Sequence, residues 1–154
     1  MVCVGSNVVD LFVITDLKEK GGSLCMPIGA KIVINDFNCD VGGGGTNTAV
    51  AFSRLGLKTG YLGIIGDDRN GDMVMDCLKK EKVKFLGERK GINGVSVVID
   101  GDKRNRTVLT HKAANNDLEK YPKIKTRWLY FSSMLGKSLK TQVRLAKELI
   151  SKDF

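Results

Sequence analysis

Little in this sequence of 154 residues could serve as a metal centre or a disulfide frame. The one histidine, His111, has no second histidine or cysteine at ligand spacing, which argues for a surface position rather than a metal ligand or a catalytic triad member. Cys3, Cys25, Cys39 and Cys77 form no Cys-x-x-Cys pair, so zinc binding is disfavoured, and three of them sit in or beside apolar or structured stretches where a reduced cysteine behaves as a small hydrophobe. Apolar runs such as Val97–Ile99 and Trp128–Phe131 fall far short of the roughly 18–20 residues that cross a bilayer, which excludes a membrane-spanning helix. Prolines number only two, and no proline- or serine-rich linker divides the chain, so one domain is expected. The opening Met1-Val2-Cys3-Val4-Gly5 carries no basic cluster ahead of a cleavage site, so no secretory signal is read and a cytosolic location is expected.

What is present suits a globular domain: 42% apolar and 27% charged residues, with 18 glycines. A chain of this size buries roughly two-thirds of its unfolded surface and needs no staple to fold. Its 25 basic and 17 acidic residues leave a net charge of +8, which raises nucleic acid as a partner. The distribution argues against it, because the lysines and arginines are spread along the chain and partly interleaved with carboxylates, without stacking aromatics or a recognition helix.

The order of elements alternates. Residues 2–9 read as a buried strand closed by Asp10, Ala30–Ile34 as a second strand, and Asn35-Asp36 as a turn. Gly42–Gly45 then leads into the helical stretch Thr46–Leu55, which Gly56 ends. Lys58–Ile65 reads as a strand, and Gly66-Asp67-Asp68 turns into a helix with Met73, Val74, Cys77 and Leu78 on one stripe. Val83–Leu86 is the next strand, and Val95–Ile99 with Arg106–Thr110 flanks the turn Asp100–Arg104 as a β-hairpin. Trp128–Ser132 reads as a buried strand, and Ser138 as the cap of a last helix with Leu139, Val143, Ala146 and Ile150 on one face. The pattern predicts an α/β fold: a Rossmann-like, mainly parallel sheet with helices on both faces and a small sheet standing off it.

Four consecutive glycines before a helix let backbone approach a ligand closely, and the first-turn amides of that helix have no partners of their own. The plainer reading is a tight turn. A Walker A loop is excluded, because Gly136-Lys137-Ser138 has Phe131 where the leading glycine belongs; the dinucleotide fingerprint would need its third glycine at Asn47 or Thr48.

The segment Gly43-Gly44-Gly45-Thr46-Asn47-Thr48-Ala49, followed by Gly56 and Gly66, resembles the first signature of the PfkB/ribokinase family of carbohydrate kinases. Asp10, Asn70-Gly71-Asp72, Arg106-Thr107-Val108-Leu109 and Ala113-Ala114-Asn115 extend the resemblance over nearly the whole chain. It implies a truncated ribokinase-like fold: residues 1–154 as an N-terminal substrate-binding part with β-lid strands near 30–36 and 93–111, and the C-terminal nucleotide-binding and catalytic part absent. It further implies that Asp10, Gly42, Gly43 and Asn47 bind the hydroxyls of a sugar or nucleoside. The chemistry agrees, since a carboxylate accepts from vicinal hydroxyls, bare glycine amides reach sugar oxygens, and an asparagine amide donates and accepts. Helix capping by Asn47 and strand termination by Asp10 are the competing structural readings.

Ser133-Met134 stands where ribokinase-like members carry a substrate-binding glutamate, and Val8 where some carry asparagine, which implies a nucleoside or a modified, less hydroxylated sugar with Met134 as an apolar contact. No Asp-Thr-x-Gly-Ala-Gly-Asp type run is present. No catalytic base or metal ligand is therefore assigned, Asp67-Asp68 being read as capping residues, and ATP with Mg2+ is expected only for the full-length enzyme. The chain alone is predicted to bind its acceptor without turning over. An unpaired sheet edge or the lid is expected to support self-association, such as a homodimer. A non-catalytic sugar-binding or regulatory half-protein, and a basic nucleic-acid-binding domain, are the alternative classes.

Overall fold

The computed structural model describes residues 1–103 and 105–150; Arg104 of the expected hairpin turn and the last four residues of the expected domain lie outside the described residues. In chain order the strands are β1 (Val2–Val4), β2 (Val8–Ile14), β3 (Glu19–Lys20), β4 (Ser23–Leu24), β5 (Asp36–Gly42), β6 (Gly60–Leu62), β7 (Ile64–Ile65), β8 (Lys84–Phe85), β9 (Glu88–Arg89), β10 (Val95–Asp100), β11 (Arg106–His111) and β12 (Leu129–Phe131). Helices α1 (Gly44–Arg54) and α2 (Arg69–Lys80) lie between them, and α3 (Gly136–Ile150) follows the last.

The main sheet has the order β12-β1-β6-β8 and is parallel throughout. Alternation along β1 explains its two-sided burial. Val2 and Val4 pack with Leu62, Leu118 and Leu145 of α3, whereas Cys3 packs with Tyr61, Ala49 of α1 and Val74 and Leu78 of α2. Burial pushes the Cys3 thiol and the Tyr61 hydroxyl up from their ordinary pKa values, so neither ionises in the core.

A second sheet, ordered β11-β10-β2-β5, stands off the first. The β10–β11 hairpin is antiparallel as expected, β10 runs parallel to β2, and β5 runs antiparallel to β2. Four expectations are corrected here. The strand read over residues 2–9 breaks at Gly5–Asn7, where the chain leaves one sheet for the other, so Asp10 sits inside β2 rather than at a strand end. The strand expected near 30–36 is instead found at Asp36–Gly42: residues 30–35 form no strand, and Asn35-Asp36 is no turn but the entry to β5. Lys58–Ile65 is likewise split into β6 and β7 at Gly63.

Both α1 and α2 end in a Schellman motif, in which the two residues after the last turn donate back to carbonyls of that turn. In α1, Gly56 donates to Ser53 and Leu57 to Phe52, with Gly56 at φ 86°. In α2, Lys82 donates to Lys79 and Val83 to Leu78, but the left-handed position, φ 57°, is held by a lysine. Arg54 and Glu81 tie the two ends together in a bidentate pair at 2.6 and 2.8 Å. Hydrogen bonding from Arg54 holds the Glu81 carboxyl below its ordinary range. A depressed carboxyl contributes stability that is complete above its unfolded pKa and lost as pH falls through the folded one. Acidification from about pH 6 to about pH 3 is therefore expected to lower the thermal midpoint less in Arg54→Ala than in the parent.

Helix α3 turns a different face inward from the one its apolar spacing predicts. Leu139, Val143 and Ile150 are exposed, while Ser138, Thr141, Gln142 and Leu145 are buried. The polar members are held by long-range hydrogen bonds: the Gln142 amide donates to the carbonyls of Val4 (3.1 Å) and Ser132 (2.9 Å). Ser138 does not cap α3, which starts two residues earlier. Its hydroxyl donates to the Asn115 carbonyl (2.6 Å) and accepts from the Leu118 amide (2.8 Å). The expected buried strand 128–132 is an edge, with Trp128 at 69% exposure and Tyr130 and Phe131 also open. Together with Leu135 and the outer face of α3, it forms an uncovered apolar surface.

Candidate active site

The glycine loop lies at the C-terminal end of the parallel sheet, the end at which open α/β sheets bind ligands. Gly43 precedes α1 with φ 101°, and the helix has no side-chain cap. A Cβ on Gly43 would come within 2.6 Å of the Asn7 Cα and the Ser6 carbonyl, and one on Gly45 within 2.8 Å of the Gly5 Cα. Glycine is required because backbone packs on backbone. The Gly45 amide donates to Ser6 at 2.9 Å, whereas the Gly44 and Thr46 amides have no partner among the described residues. Two first-turn donors at the positive end of a helix are thus left for a ligand oxygen.

Asp10 and Gly42 meet. They sit on adjacent strands of the second sheet, and a Cβ on Gly42 would collide with the Asp10 carboxylate. The register also sets Asp10 opposite Asp40 on one side and Ser96 on the other, with Thr110 beyond. Ser96 is buried and its hydroxyl lies 3.3 Å from that of Thr110, so one row across this sheet is polar. Asn47 is exposed on the first turn of α1 and does not cap it. It lines a groove of about 410 Å³ with Asp40, Val41 and Arg54. No described contact joins Asn47 to Asp10.

All four crossings between the sheets converge beneath this loop. The Asn7 amide donates to Asn115 Oδ1 (2.9 Å), and Asn115 Nδ2 returns a bond to the Asn7 carbonyl (2.6 Å). Asn7 Nδ2 donates to the Tyr61 hydroxyl (2.9 Å), which donates to the Gly5 carbonyl (2.9 Å). Gly43 and Gly94 pack directly on Asn7. A pocket of about 150 Å³ opens beside Asn115, lined by Ser6, Lys112 and Ser133.

A family model described as pfkB family carbohydrate kinase matches residues 2–147. The chain belongs to this family. It is 40% identical over 62 residues to a 5-dehydro-2-deoxygluconokinase of Clostridium perfringens, covering 40% of this chain and 18% of that protein. It is 29% identical over 123 residues to the ribokinase of Bacillus subtilis, covering 76% of this chain and 39% of that one. The crystal structure of ribokinase from Cryptococcus neoformans in complex with ADP superposes with a TM-score of 0.61 at 25% identity, over 77% of this chain and 36% of that chain. Arabidopsis thaliana ribokinase complexed with ribose and ATP shares the fold, with a TM-score of 0.62 at 23% identity over 74% and 36%. The PfkB chain thus spans less than two-fifths of the length of these relatives.

Asp68 accepts from the Gly71 amide at 2.8 Å and so caps α2, as its position suggested. Met134 is buried in the core beside Leu118 and Leu145, with one edge on the 150 Å³ pocket. The sequence reading missed Asn7, Tyr61, Ser96 and Thr110. Ser96 and Thr110 were reachable by counting alternate positions along the hairpin. Asn7 and Tyr61 were not, because their partners lie 54 to 108 residues away.

Proposed function

We propose that this chain is the acceptor-binding part of a PfkB-type kinase that moves the terminal phosphoryl group of ATP to a hydroxyl of a sugar, a nucleoside or a modified sugar. The observation that carries this reading is the Asp10 carboxylate lying over Gly42, the residue that leads through Gly43 into the uncapped start of α1. Asp10 would accept hydrogen bonds from two neighbouring hydroxyls. Gly42 and Gly43 would let the ring approach bare backbone, and Asn47 would donate to and accept from a further hydroxyl. The second sheet would cover the acceptor and keep water from competing for the phosphoryl group.

The described residues do not fit a metal–nucleotide site. No three histidine, cysteine or carboxylate side chains gather among them, and the carboxylate at the loop, Asp10, is engaged in this reading by acceptor hydroxyls. The metal site and the base, with ATP and Mg2+, belong in this reading to the remainder of the intact protein, whose strands and helices would pack on the open face of β12 and α3. Without them the chain binds and does not turn over, since loss of even one electrostatic contribution costs about two to three orders of magnitude in rate. A cytosolic location, and a homodimer formed through the lid, complete the proposal; exposed Phe37, Val108 and Leu109 on the second sheet support the latter.

The test is phosphoryl transfer by the intact protein from ATP to ribose, 5-dehydro-2-deoxygluconate, fructosamine and a nucleoside panel. Asp10→Ala is expected to weaken acceptor binding by about 10- to 100-fold, the worth of hydrogen bonds to a charged group, while ATP binding is unchanged. Acceptor binding indifferent to Asp10→Ala would overturn the site. Sugar binding without transfer to any acceptor would favour a regulatory binding module.

A further inference from the structure

At the opposite end of the parallel sheet, where β1, β6 and β8 begin, lies a cavity of about 680 Å³. Its apolar floor is Val2, Leu86, Pro122 and Ile124. Around it stand Lys58, Lys82, Lys84, Lys123 and Lys125, and no aspartate or glutamate lines it. None of the five ammonium groups has an ion-pair partner among the described residues, although Lys18, Lys90 and Lys137 elsewhere do.

This concentration arises from four separate segments. Lys58 precedes β6, Lys82 follows α2, Lys84 opens β8, and Lys123 and Lys125 flank Ile124, which anchors the segment before β12 to the core. Lys82 occupies the left-handed position that glycine holds in the equivalent turn of α1, so the charge is kept at this rim against a backbone preference for glycine. Five unrelieved positive charges around a concave, low-dielectric floor focus a potential that attracts anions. The volume lies within the range of small-molecule sites.

We propose that this cavity binds an organic phosphate, with an apolar or aromatic body on the Leu86–Ile124 floor and its phosphate among the lysines. It is a second site, separated by the length of the sheet from the glycine loop, and it stands whether or not the acceptor assignment holds. Inorganic phosphate alone would lack the floor contacts, and a neutral aromatic would lack the charge.

The test uses 1-naphthyl phosphate, 1-naphthol and inorganic phosphate as probes, titrated calorimetrically into the intact protein at physiological salt. Naphthyl phosphate is expected to bind at least tenfold more tightly than either comparison probe. Lys84→Gln/Lys123→Gln is expected to weaken it at least tenfold, and Lys58→Gln/Lys125→Gln serves as an independent pair should the first fail to fold. Lys140→Gln/Lys147→Gln on α3 removes the same charge elsewhere and is expected to leave binding intact. Equal losses in cavity and α3 variants would mean only diffuse attraction to a basic protein and would overturn the proposal. So would inorganic phosphate binding as tightly as the naphthyl ester, or a single-stranded oligonucleotide displacing it with higher affinity through the same lysines.

Discussion

Gly43→Ala is expected to destabilise the protein by about 3–5 kcal/mol, the range of severe core defects. Two costs combine. A left-handed φ of 101° penalises any side chain by about 1–2 kcal/mol. The new methyl would also stand 2.6 Å from the Asn7 Cα and the Ser6 carbonyl, where neither neighbour is a side chain that can swing away. Either α1 moves off β1 or the crossing at Ser6-Asn7 deforms. Gly56→Ala supplies the comparison: it too has positive φ, 86°, but its Cβ would meet nothing within 4 Å, so only the backbone cost of about 1–2 kcal/mol is expected. Urea denaturation of both variants separates the two contributions. Similar midpoints would show that close packing under the loop contributes nothing.

Asn115→Leu is expected to cost about 3 kcal/mol or more, because it strips partners from groups that remain buried. The Asn7 amide and carbonyl would each lose a bond, of 2.9 and 2.6 Å, with Asn7 fully enclosed. Leucine is close in volume, so a cavity does not explain the loss. The Asn7 side chain also donates from Nδ2 to Asn115 Oδ1 at 3.3 Å, so a double-mutant cycle with Asn7→Ala, which keeps the two backbone bonds, is expected to show coupling of about 0.5 kcal/mol or more, as contacting residues of one network do. Additive effects would mean that the two asparagines act independently. Amide exchange in β2 and β10 should accelerate in Asn115→Leu, since both strands start at this crossing.

Short-range chemistry was legible in the sequence, and long-range chemistry was not. The glycine loop, α1 with Gly56 behind it, the α2 cap at Asp68 and the β10–β11 hairpin all follow from local rules, and the structure has them where those rules put them. The strand at 30–34 failed because Ile32-Val33-Ile34 is apolar yet exposed, whereas Asp36–Gly42 pairs along β2 with little apolar content to advertise it. In α3 the apolar stripe faces outward. The buried stripe carries Thr141 and Gln142, whose partners on β1 and β12 no helical period reveals. Asp10 and Gly42 were both named from the sequence, but their contact depends on a register that only the paired strands display.

The convergence of Asn7, Gly43, Gly94 and Asn115 has a mechanical side. Every chain crossing from the main sheet into the second passes this point, and Val9, Leu11, Cys39 and Val41 pack beside it on the core of α1 and α2, so the second sheet is held at its inner end. Its strands run six or seven residues outward, about 20 Å at roughly 3.3 Å per residue. A turn of about 10° at the asparagine pair would carry the far tips through about 3–4 Å over that reach, more than the length of a hydrogen bond. Small adjustments in a fully buried polar knot can thus set how far the outer sheet stands from whatever rests on the glycine loop.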